Sequence, residues 1–235
     1  MSIEVIKMTE HLERIPSGIP GFDQILGGGI IKGSLLLLAG VSGTGKTVCA
    51  TQIAYKNALE GKRSIIVSFD EGKNLIKYMR GFGWDLQKLI DEGKLKILDY
   101  VAPTEKIIYD ILNDIIVEIK SLNAEIVVID SLTSMILTAP ELSKARSLMD
   151  FLRKIKPENV TLIATANIFH GSKRIGVGVE EVVADTLVLL KRSFYKSEFI
   201  IKLYVLKVRG SRHSRKAHQL IFTPNGVEVS PLPLP

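Results

Sequence analysis

Cysteine and tryptophan are almost missing from this chain. Cys49 and Trp84 are the sole representatives among 235 residues, and aromatic side chains make up only 6%. A lone cysteine excludes an intramolecular disulfide framework and a cysteine-based zinc cluster, and it fits a reducing, intracellular setting. His11, His213 and His218 have no metal-ligand spacing. The opening residues "MSIEVIKMTEHLERIPSG" alternate charged and apolar types, whereas a secretory leader has an unbroken apolar centre. The longest apolar run, "IIKGSLLLLAGV", is interrupted by Lys32, Gly33 and Ser34 and is too short to cross a bilayer. A cytoplasmic protein without membrane segments is expected. Internal repeats and long loop-like interior stretches are also missing, so one domain over residues 1–235 is expected, with 1–16 and the Pro-rich 230–235 as extensions. Trp84, in "FGWDL", and Cys49 are assigned to packing.

Charge of one sign is not in large excess either: 31 Lys and Arg face 25 Asp and Glu, a net +6. That permits a polyanionic partner without requiring one. Hydrophobic residues, at 46%, are enough for a buried core. Short apolar, β-branched runs alternate with longer helical patterns, which predicts parallel strands joined by helical crossovers, an α/β fold. Strands are expected at 34–40, 64–69, 94–100, 125–130, 160–166, 185–192 and 199–210, and helices at 46–60, 74–82, 85–92, 104–122 and 141–155. In the 104–122 helix, apolar residues at 107, 108, 111, 112, 115, 116 and 119 recur at the helical period and mark the face that packs on the sheet.

Between the first strand and the first long helix lies "GVSGTGKT", Gly40 to Thr47, which satisfies G-x-x-x-x-G-K-[ST] in the strand–loop–helix setting that motif requires. Glycines let the backbone curl into a ring of inward-facing N–H groups, and the helix N-terminus adds partial positive charge. Gly40, Val41, Ser42, Gly43, Thr44, Gly45, Lys46, Thr47 and Val48 are therefore the candidate nucleotide-binding residues. Lys46 is expected to reach the β- and γ-phosphates, and the Thr47 hydroxyl to ligate Mg²⁺. Asp130, ending the apolar strand "IVVID", has the form of the acid that supports that metal. Asp70 and Glu71 follow the second strand, whose C-terminal end shares an edge with the phosphate loop. A carboxylate there could orient or deprotonate an attacking water.

The blocks "IPSGIPGFDQILGGGIIKGSLLLLAGVSGTGKT", "VSFDEGKNLIKYMRGFGWDLQKLIDEGKLKILD", "VVIDSLTSM", "GVEEVVADTLVLL" and "LKVRGSRHS" resemble, in order, those of the KaiC-like branch of the RecA superfamily of ATPases, in a single-domain form. The resemblance implies a RecA-like core with a central, mostly parallel twisted sheet, antiparallel strands toward the C-terminus, ATP and Mg²⁺ as ligands, and assembly into rings, usually hexamers. It also implies that Asp70 and Glu71 are the catalytic pair. The first of the two is usually Glu in the family, so Glu71 is the main expectation and Asp70 the departure. Gly81 falls where the family often has a nucleotide-contacting residue and offers only backbone.

The run "VLKVRGSRHSRK" (205–216) gathers five cations and His213. Nucleic acid, phosphates and water are the three things it could face. The resemblance implies that Lys207 and Arg209 reach the nucleotide held by the neighbouring subunit and act in catalysis there, with Ser211 and His213 beside the same nucleotide. Arg212, Arg215 and Lys216 are equally consistent with a solvated loop. A second candidate surface is "NIFHGSKRIGVGVEE" (167–181), where Phe169, His170, Lys173 and Arg174 combine an aromatic ring with cations, as single-stranded DNA binding requires. The competing reading of that loop is a flexible coupling between subunits. At the level of the whole protein, the two readings are a DNA-binding ATPase ring of repair or recombination and a nucleotide-gated signalling or scaffold protein that recruits a protein partner.

Overall fold

The computed structural model describes residues 12–69, 72–100, 107–137, 146–147, 150, 156–169, 174–176 and 178–232. Among the described residues nine strands form one mixed sheet around β3 (Leu35–Gly40), whose six residues are all buried, as a run of leucines inside a doubly covered sheet should be. On one side of β3 lie, in order, β7 (Thr161–Asn167), β6 (Ile126–Asp130), β4 (Ser64–Ser68) and β5 (Leu95–Asp99), all parallel to it. On the other side β8 (Thr186–Tyr195) is also parallel to β3. It is followed by the antiparallel β9 (Glu198–Val208), β10 (His218–Thr223) and β11 (Gly226–Pro231). Two further strands, β1 (Arg14–Ile15) and β2 (Ile30–Ile31), form a separate antiparallel pair around the short helix α1 (Phe22–Ile25).

Two cores, one on each face, explain why β3, β4, β6 and β7 are buried almost throughout rather than at alternate residues. One core joins Leu36, Leu38, Ile66 and Val128 to α2 (Lys46–Leu59) and to the aromatic pair Tyr55 and Trp84, whose rings stack 5.4 Å apart. Trp84 is buried and donates to the Asn225 carbonyl at 3.1 Å, so its packing assignment holds. This face also carries α3 (Gly72–Met79), which tightens into a 3₁₀ turn over Arg80–Phe82, and α4 (Leu86–Asp91), capped by the Asp85 carboxylate. The other core joins Leu35, Leu37, Val127 and Ile129 to α5 (Ile108–Leu122), α6 (Leu132–Ile136) and α7 (Glu180–Val183). Of the α5 residues expected to face the sheet, Ile108, Ile111, Leu112, Ile115 and Ile119 are buried. Ile107, just before its first turn, is exposed.

Predicted and observed strands agree to within one to three residues at their ends. The 141–155 helix falls largely outside the described residues. Residues 218–231, for which the sequence predicts no strand, form β10 and β11, joined by a tight turn at Pro224–Asn225.

Candidate functional site

The phosphate loop leaves β3 at Gly40 and enters α2 at Lys46. Gly43 and Gly45 take φ of 77° and 88°, a left-handed backbone that side chains disfavour. Space forbids a side chain too, since a Cβ at Gly45 would lie 2.7 Å from the Phe222 ring. The buried Thr44 hydroxyl donates to the Val41 carbonyl at 2.8 Å and ties the loop across its base.

Lys46 is only 7% exposed, and its ammonium donates to the Gly40 and Val41 carbonyls at 2.9 and 3.0 Å. Burial lowers its pKa, while the charges of Asp130 and then Cys49 act against that shift. Thr47 donates through its hydroxyl to Asp130 Oδ2 at 2.9 Å, and Thr165 donates to the other carboxylate oxygen at 2.5 Å. Asp130 is thus held by two hydroxyls from α2 and β7. The peptide bond between Asp130 and Ser131 is cis.

Lys46, Thr47 and Asp130 line a cleft of about 450 Å³ with Ser42, Gly43, Gly45, Val48, Ser68 and Asn167, closed on its apolar side by Leu75, Tyr78 and Phe222. Ser68 lies in register with Asp130 across the β4–β6 ladder. Asp70 and Glu71, next but one along the chain, lie outside the described residues. Gly81 does not line the cleft; it sits in the 3₁₀ turn with open space beside it. No motif in the sequence marks Tyr78, Phe222 or Thr165. Phe222 was legible in principle, because Asn225-Gly226 is a strong hairpin signal and places the preceding alternating residues on a strand.

The basic run lies at the other edge of the sheet. β9 is antiparallel to β8, so Val208 pairs with Thr186, and Thr186 pairs with Leu36 at the start of β3. Arg209 therefore sits at the end of β3 opposite Gly40, roughly 17 Å away at the usual rise per strand residue. Arg209 donates to Asp185 Oδ1 at 3.0 Å and to the Val182 carbonyl at 2.9 Å, and Lys207 donates to the Glu181 carbonyl at 3.0 Å. Both point to the C-terminal end of α7, although Arg209 is already past the strand. Ser211 accepts from Arg14, and the His213 Nδ1 is buried without a hydrogen-bond partner among the described residues. Ser211, Arg212, His213 and Arg215 line a cleft of about 390 Å³, separate from the phosphate loop of the same chain.

Of the candidate residues in the 167–181 loop, Phe169 and Arg174 are exposed, while His170 and Lys173 lie outside the described residues. Among the described residues no group of three or more His, Cys, Asp or Glu side chains could hold a metal ion. Thr47 and Asp130 offer the hydroxyl and carboxylate oxygens that a hard cation such as Mg²⁺ prefers. No helix among the described residues is long and apolar enough to cross a membrane.

Comparison with known proteins agrees with this geometry. Residues 15–233 match the family model described as "ATPase: KaiC". UPF0273 protein MJ1359 of Methanocaldococcus jannaschii is 34% identical over 94% of this chain and 97% of its own length. The circadian clock oscillator protein KaiC of Synechococcus elongatus is 33% identical over 95% of this chain, which spans 46% of that clock protein. The crystal structure of a KaiC-like protein, PH0186 of Pyrococcus horikoshii, superposes with a TM-score of 0.84 at 34% identity, covering 94% of this chain and all of that one. With a phosphate loop, a strand-end acid and a RecA-like sheet in place and a match that runs nearly end to end, this chain belongs to the KaiC family of ATPases.

Proposed function

We propose that the chain, as one domain, binds Mg·ATP at the seam between subunits of a cytoplasmic ring, most simply a hexamer, and hydrolyses it slowly. The observation that carries this reading is the division of cations between the two edges of one sheet: Lys46 at the carboxyl edge, Lys207 and Arg209 at the amino edge. One copy cannot bring both sets to the same γ-phosphate, because a strand's length separates them. Two copies packed edge to edge can.

In this reading Lys46 and the loop N–H groups hold the phosphates of one subunit's nucleotide. Tyr78 and Phe222 wall the cleft on the side left for the base. Thr47 and Asp130 would hold Mg²⁺, which supplies charge neutralisation at the β- and γ-phosphate oxygens. Glu71, with Asp70, orients or deprotonates water. Lys207 and Arg209 from the adjacent copy stabilise the charge that spreads over the transferred phosphoryl group. Ser211 and His213 lie beside the same nucleotide. The partner favoured is single-stranded DNA, reached through 167–181, because Phe169 and Arg174 are both exposed there and the pI is about 9.3. A scaffold role with a protein partner and no nucleic acid is the competing reading.

Light scattering with and without ATP tests the seam. ATP is expected to raise the mass from a smaller species to a ring, and specific activity is expected to fall on dilution below the assembly concentration. A monomer that turns over at the undiluted rate would overturn the reading.

A further inference from the structure

The β8–β9 hairpin runs past the phosphate-loop edge. Leu190 is level with Gly40, and five more residues of β8 continue beyond it before a two-residue turn at Lys196–Ser197, both with positive φ. At its tip Phe194 and Phe199 face each other across the ladder, with ring centroids 5.2 Å apart in an edge-to-face arrangement. They are 66% and 71% exposed, more than any other large hydrophobic residue among those described. Neither belongs to either core. The pair steadies the hairpin across its ladder, yet it leaves most of both ring surfaces in water.

We propose that this hairpin, with Phe169, is a stacking platform for single-stranded nucleic acid, an inference that rests on the nucleic-acid reading above and locates the surface more closely. Three observations carry it. First, the charge: Arg192 shares the hairpin face of the two rings and Lys196 stands in the turn beside them, while the segment's one acid, Glu198, lies on the opposite face with Lys191 and Lys202. An apolar protein partner would have to strip water from these cations without pairing them, whereas a phosphodiester chain pairs them and offers bases to the rings. Second, continuity: Arg192 lies on the same hairpin face, its guanidinium carbon 6.0 Å from the Phe199 ring centroid. It also lines a cleft of about 460 Å³ with Val41, Ser42, Asn167, Ile168 and Phe169. The aromatic tip, a cation and the exposed ring of Phe169 therefore form one strip. Third, coupling: Arg192 donates to the Ser42 carbonyl at 3.0 Å, and Ser42 lines this cleft and the phosphate cleft alike. A shift of the phosphate loop would move Arg192 with it, so ATP should alter the affinity of the strip.

The test is fluorescence anisotropy of a labelled oligothymidylate titrated with the full chain at low and moderate salt, with and without ATP. Wild type is expected to bind, more weakly as salt rises. Phe194→Ala/Phe199→Ala is expected to bind at least about tenfold more weakly, from the loss of base stacking, with unchanged ATP turnover and an unfolding temperature within about 4 °C of wild type. Phe194→Leu/Phe199→Leu keeps apolar bulk without a ring face and should show the same loss, so a fold defect in the alanine variant leaves the inference testable. Leucine or well-folded alanine variants that bind as wild type does overturn the platform while the nucleic-acid reading stands. No binding by wild type at low salt, with or without ATP, overturns both. A change in oligomeric mass with no change in oligothymidylate affinity overturns the platform and assigns the hairpin to contact between copies.

Discussion

At the carboxyl edge of the sheet Lys46 is buried and its ammonium rests on two carbonyl oxygens of its own loop. At the amino edge the Arg209 side chain is about half in solvent and leans on Asp185. In the proposed ring the two cations would be asked for different things, and their surroundings fit that division. A group that must grip phosphates of its own chain's ligand can be desolvated in advance, since the loop that holds it also supplies its partners. A group lent to a neighbour has to wait in water, and an ion pair there contributes little, about 0–1 kcal/mol, so leaving it costs little. Burial at one edge and exposure at the other thus match a site assembled from two copies.

The largest effect that could break this contrast is on turnover. Arg209→Ala should lower ATP hydrolysis by about 10³-fold or more, as loss of an arginine supplied in trans does, while ATP binding stays within a few-fold. Lys46→Ala should instead weaken ATP binding by about 10- to 100-fold, the worth of a charge-assisted hydrogen bond or two. Mixed together, the two inactive proteins should recover part of the wild-type rate. Some seams then join an intact phosphate loop from one to an intact arginine from the other. Assembly of mixed rings with no recovered hydrolysis would show that the edges do not cooperate across copies.

How much of this was legible in the sequence follows the same division. The carboxyl edge was readable because its residues are contiguous: four leucines, a glycine loop and a lysine follow one another from 35 to 46, and Asp130 ends an apolar strand. The walls of the cleft were not, because Tyr78 and Phe222 come from elements 144 positions apart that only the folded sheet brings together. β1 and β2 are two residues each, too short for any periodicity to show. At the amino edge, strict alternation puts Lys207 and Arg209 on one face of a strand. In the structure a register shift intervenes at Leu187/Val188 and Arg209 lies past the strand end, yet both side chains still reach α7. The anchor itself, Asp185, looked like an ordinary strand start.

That anchor offers an intermediate effect. Asp185 accepts from the Leu35 N–H at 3.0 Å through one oxygen and from Arg209 through the other. Asp185→Ala leaves the first N–H of the central strand without its acceptor, at a cost of about 1–3 kcal/mol, or about 2–4 °C in melting temperature for each kcal/mol in a chain of this size. Asp185→Asn can keep its one acceptor oxygen on the Leu35 N–H and loses the exposed hydrogen bond and charge pairing with Arg209, so thermal unfolding should place it close to wild type. If the two variants melt together, the anchor acts through its charge and the amino edge is held more tightly than its exposure implies.

The smallest effect concerns Cys49, in the first turns of α2, and it asks whether the carboxyl edge is formed before nucleotide arrives. Burial pushes its thiol up to about 12, against the opposing influence of its backbone hydrogen bond and of the Lys46 charge. At pH 8 roughly one thiol in ten thousand would then be ionised, against a sizeable fraction in an unfolded chain with a pKa of about 8.5. Because the folded value is the higher one, the stability this group contributes is complete below about pH 8.5 and is lost as pH rises toward 12. Iodoacetamide at pH 8 should therefore label denatured protein quickly and native protein hardly at all, with the native rate changing by no more than about twofold when ATP is added. A native rate that is appreciable without ATP and suppressed by it would mean that the first turns of α2 open until phosphate closes them. The buried lysine would then be organised by its ligand, and the contrast between the two edges would hold only for the nucleotide-bound protein.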